Sequence, residues 1–236
     1  MSITKIRELF SLPNVHYAKF YDPEYEATHD NPDKDPYMAF EKDFMRFMLS
    51  DGAGAVLVQD YPEGACPLKI EWVDMTSYAN ELPTCMFMAS ELQEDGRLKS
   101  WKEFSPNEIK ERAVLVGKQD IRQLKKHIIK YWVDHIETIL AKHHIKAEEI
   151  DYIIPHVSSM FFYEKLNDEI AARNIALTKE KWFTNLTSVG NIGSAAIYVA
   201  LEELIRTKEI KRGQKILLLV PESGRFSYGT VLLTVQ

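Results

Sequence analysis

The chain has 236 residues, with 29 Lys and Arg against 35 Asp and Glu and a formal net charge of -6. A composition of 45% hydrophobic and 27% charged residues is that of a globular protein, and the mild acidity excludes a chain held on nucleic acid by bulk positive charge. Two cysteines are too few for a disulfide scaffold, and no apolar run reaches the ~18 residues of a membrane span.

Along the chain, the start MSITKIRELFSLPNVHY lacks the apolar stretch and cleavage site of a secretory leader, so a reducing cytoplasm is the expected compartment. Residues 22–36 are rich in Asp and Pro and read as a loop, which makes 1–37 an N-terminal segment and linker ahead of one domain over 38–236. Residues 38–48 show apolar positions at helical or mixed spacing. The turn SDGAG and the run AVLVQ at 55–59 predict a strand, with KIEWVDM at 69–75 as a second strand antiparallel to it. Residues 76–118 read as an insertion or lid. Ile121, Leu124, Ile128, Trp132, Ile136 and Ile139 recur every three or four residues, which predicts an amphipathic helix over 120–143. His127 and His135 on it are expected at the surface, and His143 and His144 are expected to sit at its C-terminal dipole. Beyond it come a buried strand at 150–155, helices at 160–174 and 191–206, and strands at 215–220 and 228–235. The last two are joined by a short loop and should pair antiparallel, so the fold class is α/β with a mixed sheet covered by helices.

Three loops are placed to carry chemistry, because α/β proteins build sites at strand ends and helix starts. His156 directly follows the strand IDYII, Asn191 opens a helix, and Glu222 to Phe226 join the last two strands. A neutral imidazole N–H beside an amide NH2 makes a two-pronged cradle for an oxygen that gains negative charge. A hydrogen-bonded structural histidine and a helix start built only for packing fit the same spacing. No acidic or Cys partner has metal-ligand spacing, so no metal is expected. Trp72, Phe87, Trp101, Trp132 and Trp182 read as core or dimer contacts.

Five segments taken in order carry a resemblance: SDGAGAVLV at 50–58, DYIIPH at 151–156, SVGNIGSAAIYVALEELI at 188–205, IKRGQKILLLV at 210–220 and GRFSYGTVLL at 224–233. Together they resemble the C-terminal part of β-ketoacyl-acyl carrier protein synthase III and its thiolase-fold relatives, the condensing enzymes of fatty acid and polyketide biosynthesis. The resemblance implies a thiolase-like layered fold, of which this chain is the C-terminal half. It implies that His156 and Asn191 are the catalytic pair that holds the thioester oxygen of a malonyl extender, and that Gly224 and Phe226 belong to the oxyanion and acyl pocket. It implies acyl-CoA and malonyl-acyl carrier protein as substrates, with no cofactor.

The sequence also departs from that pattern. The family's nucleophilic cysteine lies ahead of the DGAGA motif, whereas Cys66 and Cys85 both follow it and read as structural thiols. The run Val157-Ser158-Ser159 replaces a Gln-Ala-Asn run and the basic residues that dock the carrier protein, although Lys165 lies nearby. Glu222, Ser223 and Arg225 stand where glycines and an aromatic residue are common, and they are expected to narrow the tunnel or change its charge. The resulting expectation is an acyltransferase whose nucleophile comes from outside this chain, inactive alone and associated as a homo- or hetero-oligomer. The alternatives are a non-catalytic partner subunit of a condensing enzyme, or a relative that transfers acyl groups to an alcohol or amine with His156 as general base.

Overall fold

The structure is a computed structural model that describes residues 2–4, 49–112 and 114–236. The loop expected at 22–36 and the apolar run at 38–48 lie outside the described residues. Short strands β1 (Ser2–Thr4) and β2 (Gly52–Gly54) pair antiparallel, and β3 (Leu68–Ser77) follows. Next come β4 (Met86–Phe87), a hairpin of β5 (Ser90–Leu92) and β6 (Leu98–Ser100), the short helix α1 (Pro106–Glu111), and β7 (Lys118–Gln119), which pairs with β4. The remainder is α2 (Ile121–Lys142), β8 (Tyr152–Pro155), α3 (Met160–Ala172), α4 (Leu186–Val189), α5 (Ala196–Thr207), β9 (Lys215–Glu222) and β10 (Ser227–Val235).

The main sheet has the order β3-β10-β9-β8. β8 runs parallel to β9, and β10 is antiparallel to both β9 and β3, so the sheet is mixed. β9 is a continuous apolar run because both its faces are covered. Leu217 and Leu219 pack with Ile128, Trp132 and Ile136 of α2 and Leu166 and Ile170 of α3. Ile216 and Leu218 point the other way and pack with Ile197, Leu201 and Leu204 of α5. Helices therefore cover both faces of the sheet. Each large side chain removed from water here contributes about 1.5–3 kcal/mol.

Helix α2 begins where a cap permits: the Asp120 carboxylate accepts from the backbone N–H groups of Arg122 and Gln123, at 2.9 and 3.0 Å. It ends at His143, whose ring stacks on Trp72 of β3 at 4.0 Å and hydrogen-bonds the Asp74 carboxylate at 2.8 Å. That contact joins the helix end to the sheet and gives His143 a structural occupation.

Three expectations change. The run 55–59 is not a strand: Val56, Leu57 and Val58 are 49%, 83% and 69% exposed, and among the described residues no strand pairs with it. KIEWVDM pairs instead with β10, along Leu68–Ser77. His135 is not at the surface. It is fully buried on the inner face of α2, where its two ring nitrogens meet the hydroxyls of Thr76 at 3.0 Å and Thr230 at 2.9 Å. The helix expected from 191 begins only at Ala196, after a single 3-10 turn at Gly193–Ala195. Of the aromatic set, Trp132 is core, but Trp101 is 43% exposed.

Candidate active site

His156 leaves the C-terminal end of β8. Its backbone N–H donates to the Leu219 carbonyl at 2.8 Å, which extends the parallel ladder by one residue and fixes the ring at the end of the sheet. Surrounding protein desolvates the imidazole and pushes its pKa down to about 4, so the ring is neutral at pH 7. Among the described residues the ring has no hydrogen-bond partner. It faces a shallow cleft with room for only about 20 Å³, lined by Pro155, Thr184, Asn185, Leu186 and Gly190 among others. His135 makes the contrast: it too is pushed down to about 4 by burial, yet both its nitrogens are satisfied. Of these two neutral histidines, the fully buried His135 and the half-buried His156, only His156 has its polar atoms available to a ligand.

Gly190 adjoins this cleft and positions Asn191. Its φ of 83° lies in the left-handed region, and a Cβ there would run into the Ser50 side chain. The Ser50 N–H donates to the Asn191 carbonyl at 2.8 Å. The Asn191 side-chain carbonyl accepts from Gly193 N–H at 3.1 Å, which settles the orientation of the amide and leaves its NH2 without a partner among the described residues. A neutral N–H and an amide NH2 thus stand on adjacent loops at one end of the sheet. Asn191 itself does not line the cleft, although its neighbour Gly190 does.

Sequence reasoning missed Asn185 and Glu203. Asn185 lines the cleft, and its NH2 donates to the Glu203 carboxylate on α5 at 2.6 Å. The only sequence signal was an Asn six residues ahead of Asn191, which alone reads as a loop residue.

The Glu222–Phe226 loop lies at the same sheet end, but neither Gly224 nor Phe226 lines the cleft. The Phe226 ring is fully buried in the core, edge-on to His127 at 5.8 Å. The Gly224 carbonyl accepts from Cys85 N–H at 2.8 Å. The Cys85 thiol is fully buried and donates to the Asp120 carbonyl at 3.3 Å. Burial, with the Asp120 and Glu222 carboxylates behind it, pushes this thiol up to about 12. A nucleophile needs the opposite shift. Burial also raises the Cys66 thiol. Among the described residues no group of three or more His, Cys, Asp or Glu is placed to hold a metal ion, and no helix is long and apolar enough to cross a membrane.

This architecture is a thiolase-like α/β fold. Residues 140–235 match the family model described as 3-oxoacyl-[acyl-carrier-protein (ACP)] synthase III C terminal. Among curated relatives, β-ketoacyl-[acyl-carrier-protein] synthase III of Clostridium perfringens is 29% identical over 186 residues, which is 79% of this chain and 52% of that protein. The enzyme of the same name from Clostridium acetobutylicum is 30% identical over 112 residues, covering 48% of this chain and 33% of its own. Among solved structures, the β-ketoacyl-[acyl carrier protein] synthase III of Thermus thermophilus superposes with a TM-score of 0.51 at 16% identity, over 70% of this chain and 46% of that one. The tetronic acid condensing enzyme AbyA1 gives 0.53 at 15%, over 71% and 46%. The chain thus spans from about a third to about half of the length of the curated relatives it matches. It resembles the C-terminal portion of β-ketoacyl-acyl carrier protein synthase III.

Proposed function

We propose that this chain supplies one side of the active site of a condensing acyltransferase. The reaction is decarboxylative Claisen condensation of an acyl thioester with a malonyl thioester. Loss of carbon dioxide from the malonyl group leaves an enolate, with negative charge on the thioester oxygen. His156 and Asn191 donate to that oxygen and lower the barrier. A neutral imidazole suits this work, because a cation would also hold the ground-state carboxylate and gain less at the transition state. The observation that carries the reading is the unpartnered, neutral His156 ring facing a cleft beside Gly190-Asn191.

The acyl-carrying cysteine comes from outside this chain, on an N-terminal half or a partner chain. The deeply buried, strongly raised Cys85 thiol supports that division. Apolar side chains at 47% exposure or more on one face of β3, namely Ile70, Val73 and Met75, support association with another body. Acyl-CoA and malonyl-acyl carrier protein are the substrates in this reading, the cytoplasm is the compartment, and no resident cofactor takes part.

Intact mass spectrometry after incubation with acyl-CoA tests the division of labour: a stoichiometric acyl adduct on the isolated chain overturns it. In a complex reconstituted with the nucleophile-bearing half, His156→Ala and Asn191→Ala are each expected to lower condensation by about 10²–10³. Activity retained within about threefold refutes the catalytic roles and favours a non-catalytic partner subunit. That second reading draws support from the Glu222 carboxylate, which is bonded to the Gly224 N–H.

A further inference from the structure

The loop between β9 and β10 presents two consecutive backbone N–H groups to the same side, those of Gly224 and Arg225. Both are taken by a single side chain. The Glu222 carboxylate accepts from Gly224 N–H through one oxygen and from Arg225 N–H, at 3.0 Å, through the other. The loop is braced around this arrangement. Ser223 accepts from the Gln119 amide at 3.0 Å, the Gly224 carbonyl accepts from Cys85 N–H at 2.8 Å, and the Arg225 guanidinium donates to the Ala79 carbonyl at 3.2 Å. A Cβ on Gly224 would meet the nearer Glu222 oxygen at 2.5 Å, so a glycine is what leaves room for the carboxylate. Two adjacent N–H groups aimed at one anion form a nest, the backbone device that binds carboxylates, phosphates and oxyanions.

Its place in the fold gives the nest a ligand class. β8 and β9 run parallel, with Pro155 beside Leu219, so His156 emerges beside Val220. Glu222 stands two residues further along the same strand, about 7 Å away at the rise of an extended chain. The nest and the unpartnered imidazole therefore open at the same end of the sheet.

We propose that in this chain Glu222 is the internal occupant of the two N–H groups of the Glu222–Arg225 loop and holds them closed to an external carboxylate or thioester oxyanion. While Glu222 is seated, Gly224 N–H has no capacity for an acyl oxygen, and a full negative charge stands where negative charge would have to develop. The site becomes available only when the Glu222 side chain swings out. The thioester part of this ligand class rests on the proposed function; the occupancy does not.

The test is made on the free chain, with no acyl donor and no nucleophile, so its outcome is separate from any turnover measurement. Amide resonances of Gly224 and Arg225 are followed in the ¹⁵N-labelled protein with acetate as the probe. In wild type both amides should lie downfield, as charge-assisted hydrogen bonds place them, and should not respond saturably to acetate. In E222A both should move upfield, and acetate should return them saturably. E222Q, which keeps the shape and the fold, has one acceptor oxygen in place of two, so one amide should lose its downfield shift while the other keeps it. The proposal is overturned if both amides are unchanged in E222Q, if wild type answers acetate as E222A does, or if E222A folds and shows no saturable response.

Discussion

Acidification should weaken this fold through His135, and the size of the effect follows from its surroundings. The imidazole is fully buried between α2 and the sheet, bonded to Thr76 and Thr230, and its pKa falls from 6.5 to about 4. Burial is the main cause; the Asp74 carboxylate pulls the other way, and Lys142 adds to the depression. The unfolded chain therefore takes up a proton near pH 6.5 that the folded chain refuses until about pH 4. The stability held by the neutral ring is present above pH 6.5 and is lost as the pH falls through that window. The loss amounts to about 2 kcal/mol between pH 7 and pH 5, and to about 3 kcal/mol by pH 4. Asp74 does not obscure this, because its carboxyl is lowered from 3.8 to about 2 by Lys142 and His143 and titrates below the window. His156 falls in the same window, so a variant is needed to isolate His135. His135→Gln keeps a donor and an acceptor for the two threonines and has no proton to gain. Urea unfolding near pH 7 and near pH 5 should show wild type losing about 2 kcal/mol more than the variant, a difference of roughly 1 M in midpoint. An equal loss in both proteins refutes the assignment.

Three further outcomes can be checked separately. Gly190→Ala places a side chain at a φ of 83° and against Ser50. It should cost more than about 1 kcal/mol in thermal unfolding and reduce ligand binding at the His156 cleft. Trp132→Ala empties a fully packed position between α2 and the sheet and should destabilise the chain by about 3–5 kcal/mol in denaturant titration. Under native conditions iodoacetamide should modify the partly exposed Cys66 before the buried Cys85, as peptide mapping of a time course would record. Faster modification of Cys85 would contradict its packing.

Elements with strong periodicity were legible in the sequence. The spacing of Leu124, Ile128, Trp132 and Ile136 gave α2, and the unbroken run at 215–220 gave β9, because burial on one face or on both dictates those patterns. What the pattern lacked was the identity of distant partners. His135 reads as a surface histidine until Thr76 and Thr230, 59 and 95 residues away in the chain, are folded against it. The run at 55–59 has the composition of a strand, but a strand exists only with a partner. At the candidate site, His156 and Asn191 were picked out as candidates through neighbouring motifs, whereas the orientation of Asn185 depends on Glu203 from another helix. Glu222 stood out only as a charged residue where the resembled family has other residues; nothing in its spacing reveals that its carboxylate occupies the Gly224 and Arg225 N–H groups.

The outer strand of the main sheet carries a consequence for handling the protein. β3 has ten residues and pairs only with β10, so one whole margin of main-chain donors and acceptors is uncovered among the described residues. Beside that margin Ile70, Val73 and Met75 offer an apolar flank. An uncovered margin of this length is a template on which another chain can lay a strand. Lys69, Glu71 and Asp74 interrupt the template with charge, which penalises a second copy in most registers. Solubility is then a contest between those charges and the flank. Raised salt screens the first and strengthens the second, so a concentrated, high-salt preparation is where filaments or precipitate should first form.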